Sequence, residues 1–196
     1  IPFQNLIDYL KPVWIVDAGY KLDFTCKMWE FDRYQQVIDN TKDKITWVQI
    51  GAANHIHRPL KNTVNLIGKT THRQLIQLIY HTDGVLTPVS YPMHLATIPT
   101  KNNKPKTRPC IVIAGAREPN TWEQYKNHQY IHTLGILECS KQNACWKSRV
   151  QKINDNKTQD NNICTLPVKT KSGQIIPKCL DLITAEHIIN LIRLYI

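Results

Sequence analysis

Wherever an apolar run of this sequence stops, residues able to hold an anion follow. The run 13–19, "VWIVDAG", gives way to "YKLDFTCKMW", which sets Lys21, Thr25 and Lys27 ahead of the next amphipathic stretch. Two ammonium groups, a hydroxyl and the free N–H groups of a starting helix are the donors a phosphate group requires. Beyond "ITWVQIG" (45–51) come Asn54, His55 and His57. Beyond "GVLTPVS" (84–90), Ser90 opens "YPMHLAT", with His94 one turn inside. Beyond "CIVIAGA" (110–116) come Arg117 and Glu118. Each residue alone has an ordinary reading as a solvated loop or a helix cap. Their recurrence at the same end of successive apolar runs points instead to one pocket for a phosphorylated ligand such as a nucleotide. Neither a Walker loop nor a dinucleotide fingerprint is present. His55-x-His57 has a metal-like spacing without a third ligand beside it.

A second set of reactive residues is the cysteines. Cys139, Cys145, Cys164 and Cys179 all fall in one polar segment, separated by 5, 18 and 14 residues. The two tight Cys-x2-4-Cys knuckles of a zinc ribbon are missing. Clustering in a segment with few periodic apolar residues favours a structural tetrathiolate of iron or zinc, closed and therefore not catalytic. Disulfides and free thiols remain open alternatives. Cys26 and Cys110 lie in or beside core elements and read as small buried hydrophobes.

The elements that must position these residues alternate. The apolar runs 13–19, 45–51, 64–68, 84–90 and 110–116 read as buried strands. Between them, 27–40 carries Met28, Phe31, Tyr34 and Ile38 at helical spacing, and 71–82 is a helix with Thr71 as its cap. A short helix follows Ser90, with Pro92 in its first turn. Helix 184–196 is capped by Thr184. Such alternation predicts an α/β, Rossmann-like, mostly parallel sheet with helices on both faces, plus an irregular Cys-containing segment. In that architecture ligands bind beyond the carboxyl ends of the strands. The expected division is a Rossmann-like core over 1–128, a Cys-rich segment over 129–180, and a helix over 181–196 packed on the core.

The 196 residues, 42% hydrophobic with 7 glycines, exclude a disordered or low-complexity chain. Six cysteines are too few for a disulfide scaffold of this length. No run approaches the ~20 apolar residues of a membrane span, and no secretory signal opens the sequence. The expectation is a cytoplasmic, reducing setting, and the missing initial methionine suggests a chain processed or cut from something longer. A formal charge of +10 suits an anionic partner. The densest basic cluster, 101–108, has the composition of a solvated loop.

The stretches "DAGYKLDFTCKMW", "WVQIG", "NLIGKTTHRQLIQLIYHTDGVLTPVSYPMHLA" and "RPCIVIAGAREP" resemble the C-terminal half of glycosyltransferase family 9, the ADP-heptose heptosyltransferases. The resemblance implies a GT-B enzyme whose C-terminal domain binds the nucleotide-sugar donor, which makes 1–128 a nucleotide-sugar-binding core, the acceptor site and catalytic base lying mostly in the other domain. It assigns Thr25 and Lys27 to the donor diphosphate, Ser90 to the phosphate-binding helix start, and His94 to the histidine of that loop. Where the family usually has Asp-Thr-Gly, this chain has Val89-Ser90-Tyr91, which removes an acidic contact to the donor. Some protein-modifying relatives bind iron through four cysteines, which makes the cysteine segment similar in kind. A complete member is about twice this length, so the resemblance implies a donor half needing an acceptor-binding domain or chain, with no catalytic base assignable here. Two rivals stand beside it. One is a basic, metal-stabilised nucleic-acid-binding module contacting its target through Trp146, Lys147 and Arg149, disfavoured because the basic residues do not share one helix or ribbon. The other is an inactive structural half.

Overall fold

A computed structural model describes residues 11–100 and 108–196. The chain's first ten residues and all of the basic cluster but Arg108 lie outside the described residues.

Six strands form one sheet: β1 (Val13–Asp17), β2 (Thr46–Ile50), β3 (Thr63–Asn65), β4 (Gly84–Pro88), β5 (Cys110–Gly115) and β6 (His128–His132). Their order is β3-β2-β1-β4-β5-β6, and every pairing is parallel. This is the doubly wound order, with its switch point between β1 and β4. β1, β4 and β5 are buried along their whole length, as continuous apolar runs covered on both faces must be.

Alternation along β1 assigns side chains to the two faces. Trp14 and Val16 join Trp47, Leu86 and Ile113 under α1 (Phe31–Thr41) and α6 (Ala185–Ile192). Val13 and Ile15 join Val48, Val85 and Val112 under α2 (His72–Tyr80) and α3 (Tyr91–Leu95). Both expected helix caps form: Thr71 Oγ1 accepts from Gln74 N in a capping box, and Thr184 Oγ1 accepts from His187 N. Arg108 is buried beside β5 and donates to the carbonyls of Tyr80, Thr82, Ala96 and Ile98, tying α2 and α3 to the sheet.

Two elements differ from the sequence reading. The helix expected from Lys27 starts at Phe31, and a 3-10 turn, Leu22–Lys27, precedes it. The residues between are extended because Trp29 must reach the core. Its ring packs edge-on against Tyr34 at 4.8 Å, and its Nε1 donates to Ile183 O at 2.9 Å. The second difference is β6, which continues the sheet into the segment with little periodicity.

That segment has a core and a hub of its own. After α4 (Asn120–Glu123) and β6 it contains the hairpin β7 (Pro167–Lys169) and β8 (Ile175–Pro177), then α5 (Lys178–Asp181). Cys26, Met28, Val150 and Ile176 bury one another, so the segment packs on the turn ahead of α1. Arg149 has no exposed surface. Its guanidinium donates to Asp155 through two nitrogens (2.7 and 2.9 Å), to Asp160 at 2.6 Å, to Asp23 at 3.1 Å and to Leu22 O at 3.0 Å. Partly exposed carboxylates, not deep protein, cover it. A residue so enclosed is no nucleic-acid contact, which corrects that part of the rival reading.

The hub makes acid stability predictable in sign. Hydrogen bonds from Arg149 hold the Asp155 carboxyl down to about 2, and lower Asp160 likewise. Asp23 is lowered first by Lys157 and then by Arg149. A carboxyl whose pKa falls on folding stabilises the fold above its unfolded value, near 4, and loses that contribution as pH drops toward 2. Melting temperatures taken from pH 5 to pH 2 should therefore fall more steeply in the natural protein than in Asp155→Asn.

Candidate functional site

The carboxyl ends of β1, β2 and β4 open into a cavity of ≈ 610 Å³, within the ~300–1,000 Å³ usual for ligand sites. It lies at the switch point, where the strand order leaves a crevice. β1 contributes Asp17, β2 contributes Ile50 and Gly51, and the end of β4 contributes Pro88, Val89 and Ser90. Lys21, Phe24 and Lys27 from the 3-10 turn form one wall. Asn54, His55, Thr71 and His72 line it as well.

The floor is built by local necessity. Gly19 and Gly51, just beyond β1 and β2, flank the imidazole of His57, and a Cβ on either would fall inside that ring. The ring is anchored by Nε2 to Ala52 O at 2.9 Å. Gly51→Ala should evict it, lowering stability by about 1 kcal/mol in urea unfolding as an overpacked contact does.

Asp17 accepts from Gly19 N at 3.2 Å and from Ser90 Oγ at 3.0 Å. Burial raises its pKa against the lowering effect of those bonds and of nearby His57. Ser90 therefore spends its hydroxyl on Asp17 and Thr87, and the start of α3 carries no side-chain cap. Asp17 is the one carboxylate among the lining residues, against two lysines and two histidines. With apolar and aromatic residues beside them, that lining can take a negative guest with an apolar part. His55, on its wall, is pushed down in pKa by burial first and then by Lys21 and His57, which favours the neutral ring.

Lys27 is placed by a buried pair. Its Nζ meets Glu118 Oε1 at 2.8 Å and Val89 O at 3.3 Å. Glu118 is also bound by Arg117, whose Nε donates to Lys147 O at 2.7 Å and whose guanidinium lies 4.9 Å from the Phe24 ring centroid. Arg117 and Glu118 are thus neighbours of the cavity that hold Lys27, outside its lining.

Of the residues expected to bind an anion, Lys21, Lys27, Asn54 and Ser90 are brought together. Thr25 turns away: its buried Oγ1 accepts from Val150 N at 2.9 Å. His94 also lies outside the lining, half-exposed, with Tyr125 OH at 2.9 Å from Nδ1 and Glu123 at 3.5 Å from Nε2. Sequence reasoning passed over Asp17, Phe24, His72 and Tyr91. Asp17 was legible as the one acid at the end of a buried strand, whereas the aromatic residues carried no pattern of their own.

Cys139, Cys145, Cys164 and Cys179 do converge, and Cys26 joins them around a small second cavity. Among the described residues no group of three or more His, Cys, Asp or Glu could hold a metal ion. The iron or zinc tetrathiolate expected at these four positions therefore finds no support in this arrangement. Burial pushes Cys179 up to about 12 and raises Cys145, while a hydrogen bond with Cys26 brings Cys164 down to about 7. No helix among the described residues is long and apolar enough to cross a membrane.

Comparison with known proteins follows the same lines. The family described as glycosyltransferase family 9 (heptosyltransferase) matches residues 18–153. No curated protein compared with the chain matches it. Among solved structures, the ADP-heptose LPS heptosyltransferase II of E. coli superposes with a TM-score of 0.60 at 17% identity, over 97% of this chain and 49% of that one. A glycosyl transferase family 9 protein from Veillonella parvula DSM 2008 gives 0.61 at 14% identity, over 99% and 49%. At such identities the likeness is one of fold. The chain spans about half the length of either structure.

Proposed function

Because the chain belongs to glycosyltransferase family 9, we propose that it is the donor-binding half of a GT-B glycosyltransferase, holding a nucleoside-diphosphate sugar in the cavity at the switch point. The observation that carries this reading is the pair Lys21 and Lys27 on one wall of a ≈ 610 Å³ cavity at the carboxyl ends of β1, β2 and β4. Transfer of a sugar to an acceptor hydroxyl breaks the bond between the sugar and the diphosphate, and negative charge builds on the departing oxygen. Fixed cations in a water-poor site stabilise that charge most. Lys27, already held by Glu118 and Val89, is positioned to meet it without reorganising. Lys21, exposed at the rim, steers the anion inward. No metal is drawn into this step.

The base that takes the acceptor proton is assigned to no residue of this chain. It belongs, with most of the acceptor site, to a second half of similar size, in the same protein or another chain. Adenosine diphosphate is the first donor fragment to try, since the E. coli relative is named for an ADP-heptose. Heptose is one candidate sugar, and Val89 in place of the family's usual Asp argues for testing others.

Melting the protein with ADP, UDP, GDP or CDP tests the reading. A nucleotide at ~100 times its dissociation constant should stabilise the fold by about 2.7 kcal/mol, a rise of roughly 5–10 °C for a chain of this size. A flat response to all four would overturn it. A response to a short oligonucleotide alone, abolished by salt, would support the nucleic-acid rival.

A further inference from the structure

Two of the five tryptophans stand outside the core. Trp14, Trp29 and Trp47 are each 1% exposed, whereas Trp122 is 71% exposed and Trp146 38%. The two outer indoles pack edge to face, 4.7 Å between ring centroids and 65° between planes. Large aromatic rings gathered in the open forfeit the burial that stabilises them elsewhere, and such patches mark binding surfaces. The backbone holds Trp146 there against its own preference. Its φ is +54°, in the left-handed region that a bulky side chain rarely adopts. Trp146 N donates to Arg117 O at 3.0 Å, and Trp146 O accepts from Asn162 Nδ2 at 2.9 Å. Strain fixed from both sides in this way gathers at ligand sites.

The pair stands beside the donor cavity. Arg117 follows the carboxyl end of β5, the next strand along from β4, whose own end lines the cavity. Arg117 binds Glu118, and Glu118 binds Lys27, so three contacts join the Trp146 backbone to the lysine of the cavity wall. The surroundings select the guest. Thr121 and Gln124 flank Trp122 in the chain, Gln142 and Asn143 precede Trp146, and all four are exposed. These are neutral groups that both donate and accept hydrogen bonds. The guanidiniums nearby are committed, Arg117 to Glu118 and Lys147 O, Arg149 to its carboxylates, so neither tracks a phosphate backbone. Indole faces among amides and hydroxyls suit a sugar ring, which has an apolar C–H face and a rim of hydroxyls.

We propose that Trp122 and Trp146 form a carbohydrate site outside the donor cavity, on which a sugar ring of the acceptor stacks its C–H face. The acceptor role rests on the donor-binding reading, whereas the sugar site rests on the indoles alone. This half then takes a share in acceptor recognition, beside the part carried by the second half.

The test uses the whole folded protein with the methyl glycosides of glucose, galactose, mannose and N-acetylglucosamine as probes. Because the other three tryptophans are enclosed, iodide quenches the emission of Trp122 and Trp146 selectively. A single ring on an open face binds with a dissociation constant of roughly 1 mM or weaker, which sets the range of the titration. At least one glycoside is expected to shield the emission from iodide where glycerol at the same concentration does not. Saturation-transfer NMR should place the protons of its C–H face against the protein. In Trp122→Ala the dissociation constant should rise by about 10-fold, the scale of one lost aromatic stack, and in Trp122→Phe by less. Trp122 is the more exposed of the pair, so its replacement leaves the fold intact even where Trp146→Ala disturbs the backbone. No shielding by any of the four, shielding equal to that of glycerol, or binding that survives Trp122→Ala would each overturn the proposal. So would shielding lost in saturating ADP, which places the sugar in the donor cavity, or shielding by a short oligonucleotide alone. A nucleotide-dependent melt without glycoside shielding sinks the sugar site and spares the donor reading. Shielding with a flat nucleotide melt keeps the sugar site and removes its acceptor role.

Discussion

Arg149→Met is expected to lower the melting temperature by roughly 10 °C and to loosen the segment from Cys145 to Cys164. Removing the central cation from an ion cluster leaves its carboxylates repelling one another, which is more damaging than removing the whole cluster, although water reaches these partly exposed carboxylates and offsets part of the cost. Here the loss would leave Asp23, Asp155 and Asp160 facing one another with only Lys157, itself bonded to Asp23 at 2.8 Å, to offset them. Melting temperature in this size class moves by about 2–4 °C per kcal/mol, which sets the scale of the drop. Arg149→Lys should recover only part of it, because the bond to Asp155 is two-pronged and an ammonium group lacks the fork. Combining Arg149→Met with Asp155→Asn and Asp160→Asn should restore much of the loss. If the triple variant melts no higher than the single one, the guanidinium contributes through packing and not through charge. Hydrogen exchange would locate the change, with faster exchange expected at Cys26 N and Cys164 N, whose acceptors flank the replaced side chain.

The second large effect concerns the ligand. Lys27→Ala is expected to weaken ADP binding by about 10- to 100-fold, the worth of a charge-assisted contact of roughly 1.5–3 kcal/mol. Stability should change little, because Glu118 keeps Arg117 as its partner. Isothermal titration at two salt concentrations separates the possibilities. Loss of affinity with a smaller salt dependence marks Lys27 as a contact to the anion. An unchanged dissociation constant removes Lys27 from the site and shifts attention to Lys21. Lys27→Arg is a demanding control: its charge persists, but its fork must fit between Glu118 and Val89 O.

What could be read from the residues follows the physics of burial. Strands covered on both faces must be apolar throughout, so β1, β2, β4 and β5 stood out, and with them the sheet edge where the candidate ligands gather. β6, "HQYIH", is an edge strand whose burial alternates while its residue types do not, so neither a continuous apolar run nor a period of two marked it among its polar neighbours. The start of α1 was misplaced because Met28 falls at helical spacing with Phe31 while belonging to the core of the cysteine segment and not to the one under α1. Thr25 looked like a phosphate ligand because a hydroxyl between lysines usually would be. Its acceptor role toward Val150 N depends on a residue 125 positions away, which no local pattern encodes. The same distance concealed Arg149, an ordinary basic residue until Asp23, Asp155 and Asp160 close around it. The cysteines were correctly seen as a cluster, but Cys26 was set apart from them because its neighbours along the chain are not its neighbours in space.

The turn that lines the cavity, and the start of α1 behind it, draw many of their fastenings from the last quarter of the chain. Cys26 N is bonded to Ser148 O, Thr25 to Val150, Phe31 N to Gln174, Arg33 to Asp181 and Trp29 to Ile183. During synthesis the sheet through β5 can pair while the ribosome is still adding residues, because all five of its strands lie ahead of residue 116. The wall cannot set until its distant partners emerge, and contacts of such separation are slow to form. The cavity at the switch point is thus the last feature this domain completes as it is made, and a nascent chain with a finished sheet still lacks one side of it.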